Sequence, residues 1–395
     1  MTVIRNLAAA MVLGIVVNLL PTSKATAAAI TFKKIVDTTS SPFNGSYPEL
    51  FSPAINDSGR VAFIAEDETG RGIFTSNGGS VIKITDTINS SFETIGNPAI
   101  NNSGTVAFRA ALKGGVLNGV GPGVGIYTGN GGALNTISFN ANAGSFLVSQ
   151  PSINDSGTVV FADNESGDIY TSKNGKLTLI ANGNGTTPVI NNQGTVSLVL
   201  PGASLVTRNN QVTTTIADTK SSFTSLSGDG SPLNDQGTVA FLAYLNSGGQ
   251  GIFTGNGGSL NTIADTNGAF STFFDSPAIN NQRTVAFWAF LDSGEEGIFT
   301  GSDPVNNKII ATGDQLFGST VTEINSFGLG GLNNRGQIAF GASLADGTKG
   351  IYVATRAVPE PYTVTSSGLA LAGLVFFKRR RQRRGKGAGG REYGE

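Results

Sequence analysis

One phrase recurs seven times along this chain, and it constrains the fold more than any other feature. It reads Pro53-Ala-Ile-Asn-Asp-Ser-Gly-Arg-Val-Ala-Phe63 at its first appearance and Pro98-Ala-Ile-Asn-Asn-Ser-Gly-Thr-Val-Ala-Phe108 at its second. It returns over Pro151–Phe161, Pro188–Leu198, Leu233–Phe241, Pro277–Phe287 and Leu332–Phe340. Its anchors are Asn56, Asn101, Asn154, Asn191, Asn234, Asn280 and Asn333, separated by 45, 53, 37, 43, 46 and 53 residues. A period of this size means one supersecondary unit, repeated because no single copy can bury its own apolar face.

Each unit contains four short apolar runs. The Asn-x-x-Gly element between the first and second runs fits a tight hairpin, since Asn bonds its own backbone and Gly accepts positive φ. The turn glycines are Gly59, Gly104, Gly157, Gly194, Gly237 and Gly336; Arg283 stands where the sixth repeat should have one. A second phrase supplies the third run: Gly72-Ile-Phe-Thr, Gly125-Ile-Tyr-Thr, Asp168-Ile-Tyr-Thr, Gly251-Ile-Phe-Thr, Gly297-Ile-Phe-Thr and Gly350-Ile-Tyr-Val. Asn-Gly pairs at Asn77, Asn130, Asn174 and Asn256 then turn the chain into a fourth. Four strands per unit predict a propeller blade.

The seventh unit stops after its third strand, while Ile30–Thr38 stands alone before the first and resembles the fourth-strand segment Val81–Thr87. If that segment supplies the missing outer strand, a ring closes and no edge stays open. The expectation is an all-β, seven-bladed β-propeller of four-stranded blades, closed by the N-terminal strand and spanning residues 28–356. A linear solenoid or stacked sheets are the alternatives, but a solenoid would need caps and gain nothing from the complementarity.

The chain has no Cys and no His, which removes disulfides, thiolate and imidazole nucleophile pairs, and zinc or copper sites that depend on those ligands. Hard-cation sites built from carboxylates remain open. Residues 28–361 hold 16 Lys and Arg against 25 Asp and Glu, a net charge of −9, so nucleic acid is not an expected partner.

The two ends read as addresses. Arg5, the apolar run Leu7–Leu20 and Ala25-Thr-Ala27 form, in order, a secretory signal over residues 1–27 with signal peptidase as its processor; an uncleaved anchor is the alternative. Residues 357–395 carry Pro359-Glu360-Pro361, the apolar run Leu369–Phe377 and a basic cluster that includes Arg379, Arg380 and Arg381. The basic cluster would remain cytoplasmic and leave the body outside the inner membrane. This tripartite end resembles the PEP-CTERM sorting signal, although Thr363–Ser367 is polar and eleven residues follow Arg384. The resemblance implies an exosortase-type partner, transient anchoring in the inner membrane, and then display at the cell surface or release; an ordinary tail anchor is the alternative. The repeats themselves resemble the exported bacterial tandem-repeat family named for NxxGxVAF, departing from it at Arg283 and at Ser197-Leu198. That resemblance implies surface display and no enzymatic activity.

In a propeller the first–second and third–fourth turns share one face, and the remaining loops share the other. The latter vary in length and charge here, including Glu66–Gly70, Asp163–Asp168, Asp292–Glu296 and the insertion Lys113–Gly125, and a ligand is expected on that face. Asp163, Glu165 and Asp168 offer oxygen ligands for which calcium is the candidate cation, without the full calcium-loop spacing. Asp37, Asp86, Asp218, Asp265 and Asp314, at fourth-strand ends, read either as an acidic ring or as Asx turns. The functional expectation is a non-enzymatic binding or structural module for a polysaccharide or protein. The alternative is a carbohydrate-active propeller enzyme, a glycoside hydrolase or lyase, that uses loop carboxylates such as Glu295-Glu296 and calcium. Trp288 is read as outward-facing.

Overall fold

The computed structural model describes residues 29–39, 43, 49–67, 70–114, 123–140, 148–163, 166–182, 186–220, 222–227, 230–357 and 394. The expected signal segment 1–27, Glu165, Pro359, Glu360, Pro361, Arg379, Arg380 and Arg381 lie outside those residues, as does most of the blade-two insertion. Among the described residues every regular element is a β-strand, and the strands form seven antiparallel sheets in chain order. Blade one is Glu49–Ile55, Val61–Asp67, Gly70–Ser76 and Ile82–Asp86. Blades two to six follow over residues 92–140, 152–182, 189–218, 223–265 and 270–311.

The last blade closes the ring as its sequence demands. Its chain-local strands are Ser319–Ser326, Gln337–Leu344 and Lys349–Arg356, and its outer strand is Ile30–Asp37. The closing register runs from Ile30 opposite Arg356 to Asp37 opposite Gly350, with one irregularity between Lys34 and Val36. Thr38 N donates to Lys349 O at 2.9 Å and Ala357 N to Ala29 O at 2.8 Å, so the pairing extends past both ends of the ladder.

Alternation along each second strand explains why the Val-Ala-Phe triplet is apolar throughout. Successive side chains leave a strand on opposite faces, and in a propeller both faces of a blade are covered by neighbours. Val61 and Phe63 pack against Ala339, Ile351 and Val353 of the last blade. Ala62 and Ile64 pack against Val106 and Phe108 of blade two. Each buried Phe is worth about 1.5–3 kcal/mol relative to exposure.

The triplet Phe also meets the aromatic of the second phrase directly across the ladder. Phe63 and Phe74 lie 6.0 Å apart at 25°, Phe108 and Tyr127 5.9 Å apart at 26°, and Phe161 and Tyr170 6.0 Å apart at 28°. The ring two residues on folds back over the phrase's glycine: a Cβ on Gly72 would come within 2.6 Å of the Phe74 ring. Blade four lacks the pair. Leu198 faces Val206 there, and Ser197, standing where Ala is usual, donates to Val189 O and Ser231 O across to blade five.

The first–second turns behave alike in all blades. In the first, Gly59 N donates to Asn56 O at 2.9 Å and Gly59 takes φ 81°. Asn56 Oδ1 accepts from Ser58 N at 3.1 Å and Arg60 N at 3.0 Å. Arg283 makes the same backbone bond to Asn280 O and takes φ 64°, a left-handed conformation that costs a non-glycine residue about 1–2 kcal/mol.

Candidate functional site

The seven first strands surround an axial channel whose two mouths differ in chemistry. At the narrow mouth the anchoring asparagines form a closed ring. Asn56 Nδ2 donates to Asn101 O, Asn101 to Asn154 O, Asn154 to Asn191 O and Asn191 to Asn234 O, at 2.9–3.1 Å. Asn234 donates to Asn280 O, Asn280 to Asn333 O and Asn333 back to Asn56 O, at 2.9–3.2 Å. These asparagines are only 3–5% exposed, so each amide satisfies its own turn with Oδ1 and the next blade with Nδ2.

A second ring lies just outside it, made by the residue after each anchor. Asp57 N donates to Asn102 Oδ1, Asn102 N to Asp155 Oδ1, Asp155 N to Asn192 Oδ1 and Asn192 N to Asp235 Oδ1, at 2.8–3.0 Å. Asp235 N, Asn281 N and Asn334 N continue it to Asn281, Asn334 and Asp57, all at 2.8 Å. Around this ring no two aspartates are neighbours. Asn102 Nδ2 bridges Asp57 and Asp155 at 2.9 and 2.8 Å, and Asn281 Nδ2 holds Asp235 at 2.8 Å. Side-chain donors thus separate carboxylates that would otherwise repel. The space these rings enclose is about 180 Å³. Third–fourth turns share this face: Asn209 Nδ2 donates to Thr195 Oγ1 at 2.8 Å.

The opposite mouth opens into a cavity of about 660 Å³, within the range of small-ligand sites. It lies where the first strands begin, on the face of the variable loops. Blades one, two, three, six and seven supply Phe51, Arg109, Gln150, Trp288, Glu323 and Asn325 to its wall. Trp288 is therefore half-buried at the axis and not on the outer surface. Its indole tilts against Phe274 at a centroid distance of 4.9 Å, and its Nε1 donates to Glu296 Oε1 at 2.9 Å.

Glu295 and Glu296 do not converge. Glu295 accepts from Ser293 Oγ at the exposed turn, whereas Glu296 turns inward and accepts from Ile324 N at 3.3 Å as well as from Trp288. Burial raises the Glu296 carboxyl above the usual carboxylate range; hydrogen bonds from Ile324 and Trp288 oppose this, and the Glu323 charge adds to it.

Two arginines missed from the sequence flank the other side of this mouth. Arg109 donates Nη1 to Val148 O at 3.0 Å. Its stem lies flat against Gly96, where a Cβ would come within 2.5 Å of Cγ. Arg71 stands behind, 4.7 Å over the Phe51 ring and 3.5 Å from Glu66, and its buried Nε has no hydrogen-bond partner among the described residues. Burial lowers the pKa of both; for Arg109 the like charge of Arg71 lowers it further, and for Arg71 Glu66 opposes the effect. Guanidinium basicity keeps both charged.

The remaining acids order turns. Asp163 and Asp168 close one hairpin through Asp163 N to Asp168 O at 2.8 Å, and Asp168 accepts from Asn182 Nδ2 at 2.7 Å. Among the described residues no group of three or more acids is arranged to hold a metal ion, and Glu165 lies outside them. Asp37, Asp86, Asp218 and Asp265 each accept the backbone N–H two residues on, the Asx-turn geometry. Asp314 instead accepts from Ala311 N and Lys308 Nζ.

Strand order and closure define the class: this is a seven-bladed β-propeller with an axial cavity on its variable-loop face. The chain belongs to DUF7453, a family of unknown function, whose model matches residues 29–258, 182–331 and 318–365. No curated protein matches it. Among solved structures it is similar to a catalytically inactive virginiamycin B lyase from Staphylococcus aureus with quinupristin, at 13% identity and TM-score 0.48, covering 83% of this chain and 99% of that one. It is also similar to YCF48 from Cyanidioschyzon merolae, at 12% identity and TM-score 0.42, covering 82% and 98%. A third is Aleuria aurantia lectin in complex with α-methyl-L-fucoside, at 9% identity and TM-score 0.37, covering 64% and 90%. Likenesses this distant say nothing of function.

Proposed function

We propose that this chain is an exported, non-enzymatic binding module of the cell envelope or extracellular matrix. Signal peptidase removes residues 1–27, and an exosortase-type enzyme acts at Pro359-Glu360-Pro361 while the apolar run Leu369–Phe377 holds the chain in the inner membrane. The observation that carries the binding reading is the wide axial cavity, whose wall joins charged, amide and aromatic groups from five blades on a rigid ring. Glycoside cleavage by the Glu295-Glu296 pair is the weaker reading, because Glu295 stays at the exposed turn while Glu296 turns inward to Trp288.

Two measurements test this. Intact mass of the protein recovered from the envelope of an exosortase-bearing host should fit a start near Ala28 and loss of the basic tail. Replacing Pro359-Glu360-Pro361 by alanines should leave the tail in place. Recovery of the full-length mass in the cytoplasm overturns export. Retention of the purified body on isolated envelope polysaccharide should fall when the cavity is blocked by Gln150→Trp, and unchanged retention overturns the cavity as the binding site.

A further inference from the structure

We infer that the wide axial cavity takes a carboxylate-bearing sugar, a hexuronate unit, with its acid toward Arg109 and its ring and hydroxyls toward Trp288, Glu323 and Asn325. This rests on the reading of the chain as a binding module and names the ligand class of that same cavity.

The wall is chemically two-sided. On the blade-two side the Arg109 guanidinium is held in place before any ligand arrives, by the Gly96 surface beneath its stem and by the Val148 carbonyl. Arg71 lies within electrostatic reach behind it, above Phe51, whose ring also lines the cavity. An anion offsets the mutual repulsion of two partly buried cations, and a guanidinium fork matches a planar carboxylate. Neighbouring Gln150 adds an amide that can donate or accept.

On the far side the groups change character. Trp288 contributes a flat apolar surface, fixed by Phe274 and by its bond to Glu296. Glu323 and Asn325 stand beside it on the first strand of the last blade, joined by Asn325 Nδ2 to Glu323 Oε2 at 3.0 Å. A carboxylate and an amide side by side accept and donate to vicinal hydroxyls, while an indole packs on the C–H face of a sugar ring. A neutral sugar would use this half and bring no charge to the Arg109 side. A simple anion would use only the other half.

The chain carries its own reporter, because Trp288 is its single tryptophan and lines the cavity. Titrating the full folded ring with trigalacturonate should change Trp288 fluorescence saturably, at least tenfold more tightly than the neutral trisaccharide maltotriose. Arg109→Gln should erase that preference, Arg109→Lys should keep part of it, and Arg60→Gln at the narrow face should leave it intact. Gly96→Ala, which displaces the Arg109 stem without removing charge, should weaken trigalacturonate by several-fold, and thermal unfolding of each variant confirms that the ring is folded. Equal affinity for the neutral sugar, or an acid preference that survives Arg109→Gln, overturns the hexuronate assignment and leaves the binding module standing. No binding of either sugar, by fluorescence and by equilibrium dialysis, overturns it too. Failure of the unsubstituted body to be retained on envelope polysaccharide in the preceding experiment is what strikes the broader reading.

Discussion

Asn191 allows the narrow-mouth ring to be weighed. Its Oδ1 accepts from Gln193 N at 3.0 Å and Thr195 N at 2.8 Å, and its Nδ2 donates to Asn234 O at 2.9 Å from a side chain in a residue 5% exposed. Asn191→Ala deletes all three bonds and leaves a buried carbonyl of the next blade without its donor. At about 1 kcal/mol for each bond the loss is about 2–4 kcal/mol. An unfolding entropy of about 2.1 cal/mol/K per residue gives a ring of this size roughly 0.7 kcal/mol/K, so the melting temperature should fall by about 3–6 °C. Asn191→Asp separates the two roles of the amide. It retains the acceptor for the turn but points a carboxylate at the Asn234 carbonyl, so at pH 7 it should be at least as damaging as alanine. Burial against an acceptor raises the folded pKa of that new acid. Its penalty is therefore present above the folded pKa and relieved as pH falls toward 4, where the protonated acid can donate. The assay is thermal unfolding at pH 7 and pH 4, with exposed Asn130→Ala as control. An Asn191→Asp protein as stable as the parent at pH 7, or an Asn191→Ala loss no greater than the control's, would refute the inter-blade donor argument.

Other expectations follow from single residues. Arg283→Gly should raise stability by about 0.5–1 kcal/mol in urea unfolding, since relief of the left-handed strain exceeds the added chain entropy. Burial pushes the Asp86 carboxyl up, but hydrogen bonds from Lys83 Nζ, Asn89 N and the Asn89 amide, with the Lys83 charge, outweigh it and lower the carboxyl to about 2. Its depressed pKa contributes stability that is complete above about pH 4 and lost toward pH 2, so Asp86→Asn should flatten that limb of the stability–pH curve. For Glu296 the sign reverses: its raised pKa gives stability present at low pH and lost as pH rises through the folded value. Trp288 fluorescence should titrate with it above the ordinary carboxylate range, and Glu296→Gln should abolish that transition.

The ring architecture was legible because its signals are periodic. Seven copies of one turn, a lone first strand and a last unit lacking its fourth leave little freedom, and even the departures have readable sites: Ser197 finds two carbonyls and Leu198 meets Val206. The second polar ring was visible only as an unused regularity, Asp or Asn after every anchor. Its meaning depends on blades meeting at an axis. The wide mouth was the least legible part. Arg71, Arg109, Trp288 and Glu296 occur at these positions in one repeat each, so no recurrence marks them, and their convergence comes from curvature of the sheet stack. Glu295 and Glu296 part because one closes the exposed turn and the other opens the strand that follows it.

Closure by Ile30–Asp37 has a consequence for how the molecule is made. The strand that emerges first pairs with Lys349–Arg356, the last to appear, and must wait while the intervening blades are synthesised. At 5–20 residues per second that interval is roughly 15–65 s, during which one blade edge and one free strand coexist. Two nascent chains side by side can exchange these strands, each completing the other's ring with the same bonds. Concentration during synthesis therefore selects between monomer and swapped dimer, and slow, dilute emergence favours the closed ring.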